Sequence, residues 1–138
     1  MTAQILVNID VPDLARAEAF YVAAFGLRPG RRMGAAGVEL IGAVAPFYLL
    51  AKPAGTLPFR AARVGRDYGR HWTPVHLDFV VEDLVAARDR AVAAGAVLEG
   101  DIEERAWGGI AYLSAPFGNG FCLVRFTGQG YAELVDNM

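Results

Sequence analysis

The feature that most constrains this 138-residue chain is a repeat. The segment LVNIDVPDLARAEAFYVAAF (6–25) aligns with HLDFVVEDLVAARDRAVAAG (76–95) at a constant offset of 70 residues, with Val11 on Val81, Asp13 on Asp83, Leu14 on Leu84 and Ala17 on Ala87. Alanine matches weigh little in an alanine-rich chain, but here strand, cap and helix patterns recur together, as expected of one supersecondary unit used twice. Each copy opens with period-two alternation: Ile5, Val7, Ile9 and Val11 against Leu6, Asn8 and Asp10, then Leu77, Phe79 and Val81 against His76, Asp78 and Val80. Such alternation predicts strands with two unlike faces. Each strand runs into an aspartate, Asp13 or Asp83, suited to cap a helix. Leu14, Ala17, Phe20, Tyr21 and Ala24 make one apolar helical stripe; Leu84, Ala87, Ala91 and Ala94 make the other. Gly26 and Gly95 stand where helices end.

Three strands are predicted after each helix: about 28–34, 37–43 and 46–52 in the first half, and about 97–104, 109–115 and 120–126 in the second. The turn APFGNG (115–120) joins the last two. The expected fold is α+β, two tandem βαβββ modules within one domain. Module 1 covers about 4–52, a connector 53–73, module 2 about 74–127 and a tail 128–138. The length suits one domain with a proper core.

Composition narrows the function. With 54% hydrophobic and 20% charged residues the chain is a folded protein. A net charge of −2 and the absence of a basic run argue against nucleic acid as a partner. No apolar run approaches the roughly 18–20 residues of a membrane span, and MTAQILVNID does not read as a signal peptide. The single cysteine, Cys122, makes neither an internal disulfide nor a CxxC site, and a reducing, cytoplasmic compartment is expected.

The tandem modules, with DLARAEAFYVAAFGLRPG (13–30), VHLDFVVEDLVAARDRAVAAGA (75–96) and APFGNGFCLVRF (115–126), resemble the vicinal oxygen chelate superfamily, which includes glyoxalase I, extradiol dioxygenases, and fosfomycin- and bleomycin-resistance proteins. The resemblance spans roughly residues 4 to 127. It implies sheets curled into a cleft with the helices outside, and a homodimer. In metal-using members, divalent-ion ligands come from inward-facing strand positions. Carried over by motif, these fall at Leu6, near Tyr48, on His76 and near Val124. Leucine and valine have no lone pair to give, and a neutral tyrosine is a poor ligand for hard divalent ions. The resemblance therefore points to its metal-free, ligand-sequestering members. No cofactor is expected. The alternative is a metal-dependent lyase, isomerase or dioxygenase with a site rearranged around His76.

The expected ligand is a small organic molecule, and the expected binding residues are Asn8, Asp10, Tyr48, His76, Asp78, Trp107, Tyr112 and Cys122. His76 is the best candidate for catalysis, since its ordinary pKa of about 6.5 suits acid–base work, but one histidine also serves as a pocket wall. Asp78 either orients that ring, holds a cationic group or is simply solvated. Asn8 and Asp10 indicate a wet inner face. Tyr48, Trp107 and Tyr112 offer aromatic surface that suits a pocket or a core. Cys122 offers a soft ligand or nucleophile, though a lone buried cysteine commonly acts as a small hydrophobe. Trp72 and Phe117 offer the same kind of aromatic surface, and Trp72, flanking the connector, suits a dimer contact instead. Arg60, Arg63, Arg66 and Arg70 in the connector suit an anion, a partner chain or plain solvent. Arg125 falls on the helix-covered face, where it must reach out at the sheet end.

Overall fold

A computed structural model describes residues 2–134, so residues 135–138 of the expected tail lie outside the described residues. Its elements run β1 (Val7–Val11), α1 (Leu14–Phe25), β2 (Arg28–Arg32), β3 (Gly37–Ile41), β4 (Phe47–Ala51), β5 (Leu77–Val80), α2 (Leu84–Ala94), β6 (Val97–Leu98), β7 (Glu103–Arg105), β8 (Gly108–Ser114) and β9 (Gly120–Phe126). A 3₁₀ turn, Gly130–Leu134, follows. This is the α+β arrangement of two successive βαβββ-type modules. The chain divides between Gly69 and Arg70 into two compact units. None of the described helices is long and apolar enough to cross a membrane.

In the first unit the sheet order is β1-β4-β3-β2, with β1 parallel to β4 and the other pairs antiparallel. The Asp13 carboxylate accepts from the Arg16 amide at 3.1 Å, and Gly26 ends α1 in the left-handed region at φ 66°. Ala17, Phe20, Tyr21 and Ala24 are buried, as are Val11, Val38, Leu40, Phe47 and Leu49 on the sheet, and α1 packs on β3 and β4. Period two then directs Asn8, Asp10, Glu39 and Tyr48 to the sheet's other face.

The second unit repeats this plan in the order β5-β9-β8-β6, with β5 parallel to β9. Asp83 caps α2 by accepting from the Ala86 amide at 3.0 Å. Leu84, Ala87 and Ala91 are buried together with Ala111, Leu113, Phe121 and Leu123. The single strand expected over 97–104 is instead broken into β6 and β7, both paired to β8. From Leu98 to Glu103 the edge advances five residues while β8 advances three, from Leu113 to Ile110. The Glu99 amide still bonds the Tyr112 carbonyl, and the surplus bulges out at 100–102, where Gly100 takes φ 155°. Arg125 lies on the helix side, beside Gly109, and its guanidinium reaches Glu104 at 2.7 Å. The missing Cβ of Gly109 leaves room for that side chain.

The segment expected as a free connector is folded. Gly55 and Arg66 are joined by a backbone bond from the Gly55 amide to the Arg66 carbonyl, and the Arg66 amide donates to the Thr56 carbonyl. The Arg66 guanidinium pairs with Asp10 at 2.8 Å and donates to Thr56 Oγ1 and the Leu57 carbonyl. Arg70 pairs with Glu99 in the second unit, whereas Arg60 and Arg63 are exposed.

Candidate functional site

The repeat produces one equivalent row of side chains in each unit. On the helix-free face of the first sheet, Asn8 lies opposite Tyr48, and Tyr48 opposite Glu39. In the second sheet, Asp78 lies opposite Cys122, and Cys122 opposite Tyr112. Cys122 is therefore the counterpart of Tyr48, which corrects the last-strand ligand position from Val124 to Cys122. Val124 sits two residues further along, between Val80 and Ile110.

The two rows differ in chemistry. In the first, Glu39 is buried and fully engaged. Arg31 donates to it from its backbone amide at 3.1 Å and from its guanidinium at 3.2 and 2.8 Å, and the Tyr48 hydroxyl donates at 3.0 Å. The bonds from Arg31 hold the Glu39 carboxyl down at about 2. This cluster is internally satisfied. Asp10, paired with Arg66, is satisfied as well.

In the second row no arginine plays that part. His76 immediately precedes β5, and its Nε2 stands 3.3 Å from Asp78 Oδ1. Alternate strand positions lie about 6–7 Å apart along the backbone, so the two side chains lean together. Donor atoms of His76, Asp78 and Cys122 all fall within 4.8 Å of one another. Cys122 is 1% exposed. Burial, and then the Asp78 carboxylate to which its thiol donates, push it up to about 12.

Aromatic rings surround this centre. Trp72, Trp107 and Tyr112 pack against Ile110, Cys122 and Val124. Trp72 is edge-on to His76 (centroids 5.5 Å apart) and to Tyr112 (5.9 Å). Its indole lies against Gly120, where any Cβ would collide with the ring. Trp72 thus belongs to the site's wall. From the 3₁₀ turn, Tyr131 packs on Trp107 (5.1 Å) and Phe126 (4.7 Å). Burial, and then the Asp78 carboxylate, raise the Tyr131 hydroxyl's pKa.

Of the expected site residues, His76, Asp78, Trp107, Tyr112 and Cys122 come together in the second unit. Asn8, Asp10 and Tyr48 belong to the first. Trp72, expected from sequence as aromatic surface or a dimer contact, and Tyr131, not singled out from sequence, complete the wall of the second-unit site. The nearest signals were the tryptophan four residues before His76 and the small GNG turn (118–120) that admits it.

A glyoxalase-like domain model matches residues 6–124. The chain belongs to that family. Solved structures of glyoxalase-related, glyoxalase/bleomycin resistance/dioxygenase and fosfomycin resistance proteins share its fold. A glyoxalase-related enzyme from Fulvimarina pelagi is 19% identical, with 89% of this chain and 88% of that one covered at TM-score 0.68. A genomically encoded fosfomycin resistance protein from Listeria monocytogenes is 16% identical (92% and 95% covered, TM-score 0.69). TioX from Micromonospora sp. ML1 is 18% identical (91% and 100% covered, TM-score 0.68). No curated protein matches the sequence. At these identities the structural likeness speaks for the fold, and a fold of this kind carries several chemistries.

The superfamily's divalent ion does not fit this donor set. Leu6 offers only carbon, and the Tyr48 hydroxyl is committed to Glu39. His76 and Cys122 remain as competent donors at ligand positions, with Asp78 beside them, a set for a softer ion than one held by carboxylates.

Proposed function

We propose that this protein binds a small, partly apolar organic molecule on the helix-free face of its second unit, without a resident hard divalent ion. The observation that carries the reading is the Asp78–Cys122–Tyr112 row: a polar centre walled by Trp72, Trp107 and Tyr131. A few convergent polar groups among aromatic rings make up a small-molecule site. His76 and Asp78 supply polar selectivity; the rings supply contact area. Sequestration of a toxic compound by a cytoplasmic homodimer is the role most in keeping with the family.

A second reading rests on the convergence of His76, Asp78 and Cys122 within 4.8 Å. These nitrogen, oxygen and sulfur donors suit an ion such as Zn²⁺, and with it a lyase, isomerase or dioxygenase-type activity using His76. The setting of the centre favours the first reading: Trp72, Trp107 and Tyr112 pack against it, and Cys122 is 1% exposed.

The test is thermal unfolding against a library of amines, aromatic acids and neutral aromatics. A ligand of the folded state stabilises by about 2.7 kcal/mol at one hundred times its Kd. At least one chemical class is expected to raise Tm, and Trp72→Ala to abolish the rise. A library without a single stabilising compound would overturn the reading.

A further inference from the structure

The charge balance of the second unit is uneven. Arg70 pairs with Glu99, Arg88 with Asp89, Arg105 with Glu103 and Arg125 with Glu104. Asp78, like Glu82 and Asp101, has no such partner, and among the described residues its ion-pair neighbour is His76 alone. The chain's one lysine, Lys52, lies in the other unit. So a carboxylate without an arginine or lysine stands among aromatic rings, half open to solvent. The equivalent row of the first unit shows what the fold does with a carboxylate it means to neutralise, because there Arg31 grips Glu39 with both side-chain and backbone donors. Ring faces attract cations through their quadrupole, and a nearby carboxylate adds to the attraction.

We infer that the ligand of this face carries a compact organic cation, a protonated amine or quaternary ammonium group, seated between the Asp78 carboxylate and the rings of Trp72, Tyr112 and Tyr131. This rests on the ligand-binding reading and names its chemical class. Both tryptophans of the chain, Trp72 and Trp107, pack at the site, so their fluorescence reports on it directly.

The experiment titrates the whole protein with choline and, separately, with its neutral isostere 3,3-dimethylbutan-1-ol, following tryptophan emission. Choline is expected to bind saturably and about tenfold more tightly than the alcohol, the size of one desolvated cation–ring contact. Asp78→Asn should bring the two Kd values together, and Asp78→Glu should keep them apart, which separates loss of charge from loss of fold. Equal binding of both probes would overturn the cation inference and leave the site itself standing. Failure of both probes, with a neutral or acidic aromatic found by the thermal screen, would do the same. Failure of both probes and of the screen would remove the site as well.

Discussion

At the scale of single residues, Cys122 is the most informative group in the protein. A cysteine is nucleophilic and metal-binding only as thiolate. Here burial and the adjoining Asp78 carboxylate both hold the proton on, to about 12. Native protein at pH 8 is therefore expected to resist iodoacetamide, with one equivalent taken up only after denaturation; mass spectrometry before and after urea reads this directly. The same shift has a stability consequence. Between the ordinary thiol value of 9.0 and about 12, the folded state binds more protons than the unfolded one, so this residue's contribution is whole below pH 9 and is lost as pH rises towards 12. Rapid alkylation of the native thiol at pH 8 would show that Cys122 is neither sealed nor protonated as described. The rows Asn8–Tyr48–Glu39 and Asp78–Cys122–Tyr112 also show how little residue identity a repeated fold preserves. An amide stands where the second copy has a carboxylate, and a carboxylate where it has a tyrosine.

At the scale of elements, what was legible in the sequence was local. Asp13 and Asp83 cap helices because a short carboxylate reaches amides three residues on, and period two fixes which strand residues share a face. These rules located both helices, and they put Asp78 and Cys122 on one side of the second sheet and Arg125 on the other. The placement of Trp72 obeys no local rule. It depends on β9 meeting the chain before β5, where the backbone of His71 exchanges bonds with Gly118 and Gly120, and on Gly120 presenting no side chain to the indole. Tyr131 is similar, since its 3₁₀ turn is defined by packing on Trp107 and Phe126 rather than by periodicity. The break between β6 and β7 was hidden because an edge strand and a bulged edge strand have the same composition. A direct check on the Trp72 assignment is Gly120→Ala. Gly120 has no positive φ requirement, so the added methyl acts through the indole alone. It is expected to cost about 1–3 kcal/mol, the usual range for overpacking, and to red-shift tryptophan emission as Trp72 leaves its seat. A variant with unchanged stability and emission would mean that the ring does not lie on β9.

At the scale of the whole molecule, the chain is one module used twice with its chemistry divided unequally. The first copy closes its polar row on itself through Arg31 and Glu39. The second leaves Asp78, His76 and Cys122 among rings, and it is this copy that carries the proposed site. Sequence could narrow the superfamily's ion to His76 by elimination, because Leu6 and Val124 have no lone pair; the register of β9 added Cys122. It could not show that Cys122 and Asp78 bond to each other, since that depends on the register of β5 against β9. The central claim is that this centre is built for an organic ligand and not for an ion. Its most direct test is metal content per chain by elemental analysis, on untagged protein equilibrated with Zn²⁺ or Co²⁺ at neutral pH and then desalted. No retained ion is expected in wild type or in His76→Ala. About one ion per chain in wild type, absent from His76→Ala, would contradict it and give the centre to a metal.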